Sequence, residues 1–183
     1  LDGVEGEIRE ADLMELDEGV LAAFITWVNR SAGKKLYEAD SDSILPTKML
    51  IARSRDGGQS WQPSAIMNTG DLTGPVMTGP TVRMPDKGCL AFFENFQHET
   101  SDGPSVHGAH AQFSRDGQVF DRVIKVARHP QDTLFYWDQR HAQCPKTGRL
   151  VGMFWTYDRQ AEKDVPIHMA WGDPDALTWE PPF

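Results

Sequence analysis

The run Ser54-Arg55-Asp56-Gly57-Gly58-Gln59-Ser60-Trp61 is a tight polar turn, with Asp-Gly-Gly at its tip and an aromatic residue closing it. An Asp carboxylate accepts backbone N–H bonds across such a turn, and glycine supplies the positive φ angles it needs. The same chemistry returns in Ser114-Arg115-Asp116-Gly117-Gln118-Val119-Phe120. A worn third copy is Trp171-Gly172-Asp173-Pro174-Asp175-Ala176-Leu177-Thr178-Trp179. The closing aromatics Trp61, Phe120 and Trp179 are each 59 residues apart, so the chain is built from a repeated unit.

The pattern Ser-x-Asp-x-Gly-x-Ser-Trp resembles the Asp-box of the sialidase (neuraminidase) superfamily, whose members are six-bladed β-propellers. The first copy matches it fully. The second is one residue short and ends in Phe120, and the third has lost the Ser and the Gly and gained a residue. Three boxes in phase imply an all-β fold of about three four-stranded antiparallel blades. They imply the activity less directly, because one fold hosts many functions.

Periodicity and turn residues support that reading along the chain. Glu7–Leu16 and Val20–Val28 flank Asp17-Glu18-Gly19 and read as a hairpin, with a helix over Ile8–Leu16 as the rival. Residues 29–46 read as a long polar loop. Lys48–Arg53 enters the first box and Ser64–Met67 leaves it. The second unit runs Thr81–Met84, the turn Pro85-Asp86-Lys87-Gly88, Cys89–Phe93, a loop from Glu94 to about Ser105, Val106–Phe113 and Arg122–Val126. The third begins near Tyr136, turns at Pro145–Gly148, and continues as Arg149–Trp155, the loop Tyr157–Asp164 and Ile167–Trp171. One domain over residues 1–183 is expected, with blades at 6–67, 79–126 and 136–183. The third blade is expected to lack its outer strand. Three blades leave open edges, so the chain reads either as part of a larger propeller or as a subunit that self-associates to complete the ring.

Composition narrows the partners. A net charge of −9 leaves no basic stripe for nucleic acid. No apolar run approaches the roughly 20 residues of a membrane span, so a soluble protein is expected, and no leader identifies its compartment. Cys89 and Cys144 lie in apolar strand contexts and read as free thiols. Asn29-Arg30-Ser31 fits a glycosylation sequon that matters only in a secretory setting. No cofactor is expected, since the chain has neither a Gly-rich phosphate loop nor Cys/His zinc spacing. His107 and His110 point to opposite faces of a strand, which argues against a metal pair.

The hairpin turns and the boxes fall on one end of the blades. There Ser54, Asp56, Gly58, Trp61, Ser114, Asp116, Phe120, Asp173 and Trp179 read as scaffold. A ligand face therefore belongs to the opposite end, as the resemblance to sialidases also implies. Its candidates include Glu7, Glu10, Trp27, Arg30, Asn95, His98 and Asp158. The resemblance implies arginines on the sugar carboxylate, a Tyr nucleophile assisted by Glu, and an Asp acid/base, which departs from the two-carboxylate scheme of other glycosidases. On that basis Glu94, Asp138 and Tyr157 are the candidate catalytic groups, and Arg9, Arg140, His141 and Arg159 the candidate substrate-binding groups. Arg140 reads equally as the ion-pair partner of Asp138, whereas Glu94 reads more readily as a solvated loop carboxylate. A full three-arginine set is not assignable. The expected partner is a glycan or small anionic sugar, handled by an exo-acting sialidase-like hydrolase or, alternatively, by a non-catalytic carbohydrate-binding or interaction propeller.

Overall fold

The computed structural model describes residues 5–32, 35–38, 43–84, 88–98 and 107–183. Pro85–Lys87 of the expected second-unit turn, residues 99–105 of the expected loop and Val106, the expected start of the next strand, lie outside these. The first unit contains β1 (Gly6–Asp17), β2 (Val20–Asn29), the short β3 (Tyr37–Glu38) and β4 (Ser43–Ile44), β5 (Thr47–Ser54) and β6 (Ala65–Ile66). The second contains β7 (Pro75–Val76), β8 (Thr81–Arg83), β9 (Cys89–Asn95), β10 (Gln97–His98), β11 (Gly108–Ser114) and β12 (Arg122–Ala127). The third contains β13 (Leu134–Gln143), β14 (Leu150–Asp158) and β15 (Lys163–Gly172).

These strands form three antiparallel blades, ordered β1-β2-β5-β6, then β7/β8-β9-β11-β12, then β13-β14-β15. The hairpin reading of the N-terminal run holds, with Gly19 at φ 71° in its turn. Two expectations change. The polar loop 29–46 contains the β3–β4 hairpin, and β4 pairs in parallel with β10 of the second unit. This two-residue parallel pairing links loops and belongs to no blade. The loop expected at Tyr157–Asp164 is instead a four-residue turn, because β14 runs on to Asp158 and β15 starts at Lys163.

The third blade also has the rudiment of an outer strand. Met169 and Phe183 exchange N–H···O bonds of 3.0 Å, and Glu180 N donates to Trp171 O at 2.8 Å. Pro181 and Pro182 lack N–H donors and interrupt the ladder, which hid the pairing in the sequence.

Alternation along β9 builds the core. Cys89, Ala91 and Phe93 pack toward the first blade with Phe24, Met49 and Phe120. Leu90 and Phe92 pack toward the third with Tyr136, Leu150 and Phe154. Every residue of β9 is buried, as a strand covered on both faces must be.

The turns fold as their sequence requires. Ser60 N and Oγ donate to the Asp56 carboxylate at 2.9 and 2.6 Å, and Ser54 Oγ donates at 2.7 Å. These bonds hold the Asp56 carboxyl down at about 2. Asp116 accepts from Ser114, Gln118 and Val119. Asp173 accepts from Thr178 Oγ1 at 2.5 Å. Gly57 N donates to Gly19 O at 3.0 Å, which puts the hairpin turn and the Asp turn on one end of the blade.

The closing aromatics follow a rule. Phe120 of the second blade meets Phe24 of the first edge-on at 5.0 Å, and Trp179 of the third meets Phe92 of the second at 6.1 Å. Each one packs on the preceding blade. Trp61 has no preceding blade among the described residues and is 41% exposed, so it caps its turn without being buried by it. Phe120→Ala should therefore lose about 3–5 kcal/mol of stability in urea titration, as buried Phe→Ala changes do, while Trp61→Ala should lose under about 1 kcal/mol. Equal losses would overturn the rule.

Candidate functional site

At the end of the blades opposite the Asp turns, all three innermost strands break their register at one level. Between Ile8 and Ala11 the partner strand advances by one residue fewer than β1 does, which bulges Arg9 and Glu10. Between Trp137 and Arg140, β13 does the same and bulges Asp138 and Gln139. In the second blade Met77–Pro80 separates β7 from β8. A bulge re-aims side chains that regular alternation would send to a blade face. Asp138 sits at φ 47°, a left-handed conformation that Asp tolerates better than most residues.

Two adjoining depressions open at this level. The larger, about 440 Å³, is lined by Arg9, Glu10, Glu94 and Asp138 on its polar side. Tyr37, Phe96, Trp137 and Trp155 form its aromatic side. The smaller, about 370 Å³, shares Glu10, Thr78 and Asp138 and adds Arg140. Both volumes suit a small ligand.

Glu94 closes the β9 ladder. By alternation it follows Leu90 and Phe92 toward the third blade, where its Oε1 accepts from Gln139 N at 3.1 Å. Gln139 Nε2 donates to Phe93 O at 2.7 Å and ties the bulge to the strand. Glu94 is 1% exposed, so it is not a solvated loop carboxylate. Burial pushes its carboxyl up to about 8; the Gln139 N–H opposes this, and the Asp138 and Glu10 charges add to it. Glu10 is also raised, first by partial burial and then by Asp138. The site therefore holds one protonated acid next to two further carboxyl groups. Thr47 Oγ1 and Trp137 Nε1, both lining the larger depression, are buried without a hydrogen-bond partner among the described residues. Orphaned polar atoms on a cavity wall are points a ligand hydroxyl can satisfy.

The other sequence-derived candidates divide. Arg9 stands on the rim and pairs with Glu7, which also takes Arg30 Nε at 2.7 Å. Arg140 Nη1 donates to Thr78 O and Gln139 O at 2.8 and 2.9 Å, so its partner is the bulged backbone rather than Asp138. Tyr157 lies behind the depression, stacked on Trp137 at 5.7 Å. Arg159 lies over the Phe135 ring at 5.7 Å. His141, expected among the sugar-binding groups, instead stacks on Phe92 at 3.5 Å between blades, and burial brings its imidazole down to about 3. His107 stacks on Phe135 and His110 on Phe93, so both work as packing aromatics. Sequence reasoning gives no role to Thr78 or Trp137, because a bulge has no signature in the residue order.

No family model and no curated protein matches the chain. Solved structures do. The intramolecular trans-sialidase from Ruminococcus gnavus superposes with a TM-score of 0.66 at 10% identity, over 98% of this chain and 54% of that one. Hadza microbial sialidase Hz136 gives 0.61 at 16%, over 96% and 37%. The α-L-arabinofuranosidase Arb93A from Fusarium graminearum gives 0.60 at 16%, over 96% and 48%. The fold is part of a β-propeller. This chain spans about half the length of most such neighbours, and at these identities the likeness concerns architecture alone.

The raised Glu94 carboxyl has a consequence for stability. Folded Glu94 keeps its proton up to about pH 8, whereas the unfolded side chain releases it near 4.5. Its contribution is therefore complete below pH 4.5 and is lost as pH rises through 8, at up to about 1.4 kcal/mol per pH unit. Glu94→Gln, neutral throughout, should flatten the pH dependence of the urea midpoint between pH 5 and 8. An unchanged slope would show that folded Glu94 is ionised across that range.

Proposed function

We propose that this chain carries the sugar-binding, acid–base end of a propeller glycoside hydrolase, exo-acting on sialylated or related glycans. The observation that carries the reading is Glu94, a buried carboxyl protonated at neutral pH, opening on a depression walled by Trp137 and Trp155. A glycosidic oxygen needs a proton as its bond breaks, and an acid with a raised pKa supplies it. Asp138 or Glu10 is the second carboxylate, which either attacks the anomeric carbon or activates water. Indole faces suit the C–H faces of a sugar ring. The orphaned Trp137 Nε1 and Thr47 Oγ1 suit its hydroxyls. Arg9 and Arg140 supply positive charge for an acidic sugar.

Two carboxylate roles fit this geometry better than a Tyr nucleophile, because Tyr157 is stacked behind Trp137. The non-catalytic reading draws on the same walls and dispenses with the proton on Glu94. Turnover of aryl sialosides and aryl arabinofuranosides by the full chain separates the two. Glu94→Gln should lower kcat roughly 10²–10⁴-fold with sugar affinity nearly unchanged. Saturable sugar binding without turnover would select the non-catalytic reading, and neither binding nor turnover would overturn both.

A further inference from the structure

A third depression, of about 470 Å³, lies on the Asp-turn end, in the seam between the first and second blades. Arg53, Arg55, Arg83 and Arg115 line it, with Leu16 and Val20 as an apolar floor. Four of the chain's eleven arginines meet there, in a protein of net charge −9, and among the described residues no lysine does. Arg55 and Arg115 are the same residue of the repeat, each standing just before the Asp of its turn. Neither makes a hydrogen bond or ion pair among the described residues.

The two other arginines are held by backbone. Arg53 Nη2 donates to Gln118 O at 2.5 Å and Gly117 O at 3.4 Å, and Arg83 Nη1 donates to Glu15 O at 3.2 Å. Carbonyls orient a guanidinium without neutralising it. Arg53 Nε is buried with no hydrogen-bond partner among the described residues. Burial lowers the Arg53 pKa, the Asp116 charge opposes this, and the Arg55 charge, a smaller influence, adds to the lowering. Two carboxylates share the cleft. Asp116 is committed to its own turn, and Asp17 accepts from Glu18 N. Among the described residues the cleft thus holds four guanidinium groups against two carboxylates, walled in places by apolar side chains.

We propose that this cleft is an oxyanion site, which binds a sulfate or phosphate monoester group carried on a larger ligand at the face opposite the carboxylate depression. Planar guanidinium forks pair bidentately with tetrahedral oxyanions, and two pre-oriented forks reduce the ordering needed on binding. Arg53 and Arg83 position the cleft, while Arg55 and Arg115 are the free forks that close on the ligand. The site rests on residues shared with neither depression at the other end, so it stands independently of the glycosidase reading.

The experiment is calorimetric titration of the full chain with a trisulfated heparin disaccharide, its unsulfated counterpart and inositol hexakisphosphate, at 50 and 150 mM salt. Saturable binding near one site per chain is expected for at least one charged probe and none for the unsulfated sugar. Binding of the disaccharide alone names a sulfated glycan as the source, and binding of the inositol phosphate alone names a phosphate ester. Arg55→Ala/Arg115→Ala should weaken binding roughly tenfold or more with an unchanged melting temperature. Lys48→Ala/Lys163→Ala, which removes the same charge elsewhere, should leave affinity within about twofold. Equal losses in the two double variants would reduce the effect to overall charge and overturn the site, as would no saturable binding to either charged probe. If the alanine pair melts early, Arg55→Gln alone must still lose affinity, or the proposal fails.

Discussion

The constraint on which the molecule depends is the double-sided burial of β9. A strand that packs against both neighbouring blades must present apolar side chains at every position, and Cys89 through Phe93 does so. Alternation then decides which neighbour each side chain serves. When the apolar run ends, the same alternation delivers the next residue, Glu94, into the seam between the second and third blades. The buried carboxyl is thus a product of the packing scheme, and its retained proton follows from the low polarity that the packing creates.

The second determinant is the break in register shared by the three innermost strands. Regular strands would hold Glu10 and Asp138 on the pleated faces of the blades, each serving its own sheet. One additional residue in β1 and in β13, at one level, shifts both toward Glu94. The backbone groups released by the interruptions are reused, since Gln139 N caps Glu94 while Thr78 O and Gln139 O fix Arg140. The site is assembled from irregularities that regular blades hold rigid, the usual relation of a functional region to its scaffold.

The two ends of the blades have opposite chemistry. At one end a carboxylate cluster sits beside aromatic walls; at the other, Asp turns and arginines alternate around the blade seam. The turn aspartates stay ionised, as the lowered Asp56 carboxyl shows, but among the described residues the four arginines of the cleft face only Asp17 and Asp116. A chain acidic overall can thereby present a local positive cleft.

Much of the architecture was determined by the sequence alone. Three Asp turns at equal spacing, each followed by an aromatic, specify repeated antiparallel units, because a tight turn and a two-residue alternation are local properties. The N-terminal hairpin, the inner strands and the placement of the turns at one end follow from that. Glu94, Asp138, Arg9 and Arg140 were legible as residues of the opposite end for the same reason. Their states were not. Whether Glu94 is solvated or buried depends on the neighbouring blade, and whether Arg140 meets Asp138 or a carbonyl depends on a bulge. His141 was drawn away to Phe92 because a ring between two sheets is decided by non-local packing. The outer strand of the third blade was hidden behind two prolines that break its ladder without preventing its pairing. Local chemistry is written in residue order, whereas burial, register and charge balance exist only once distant strands have been brought together.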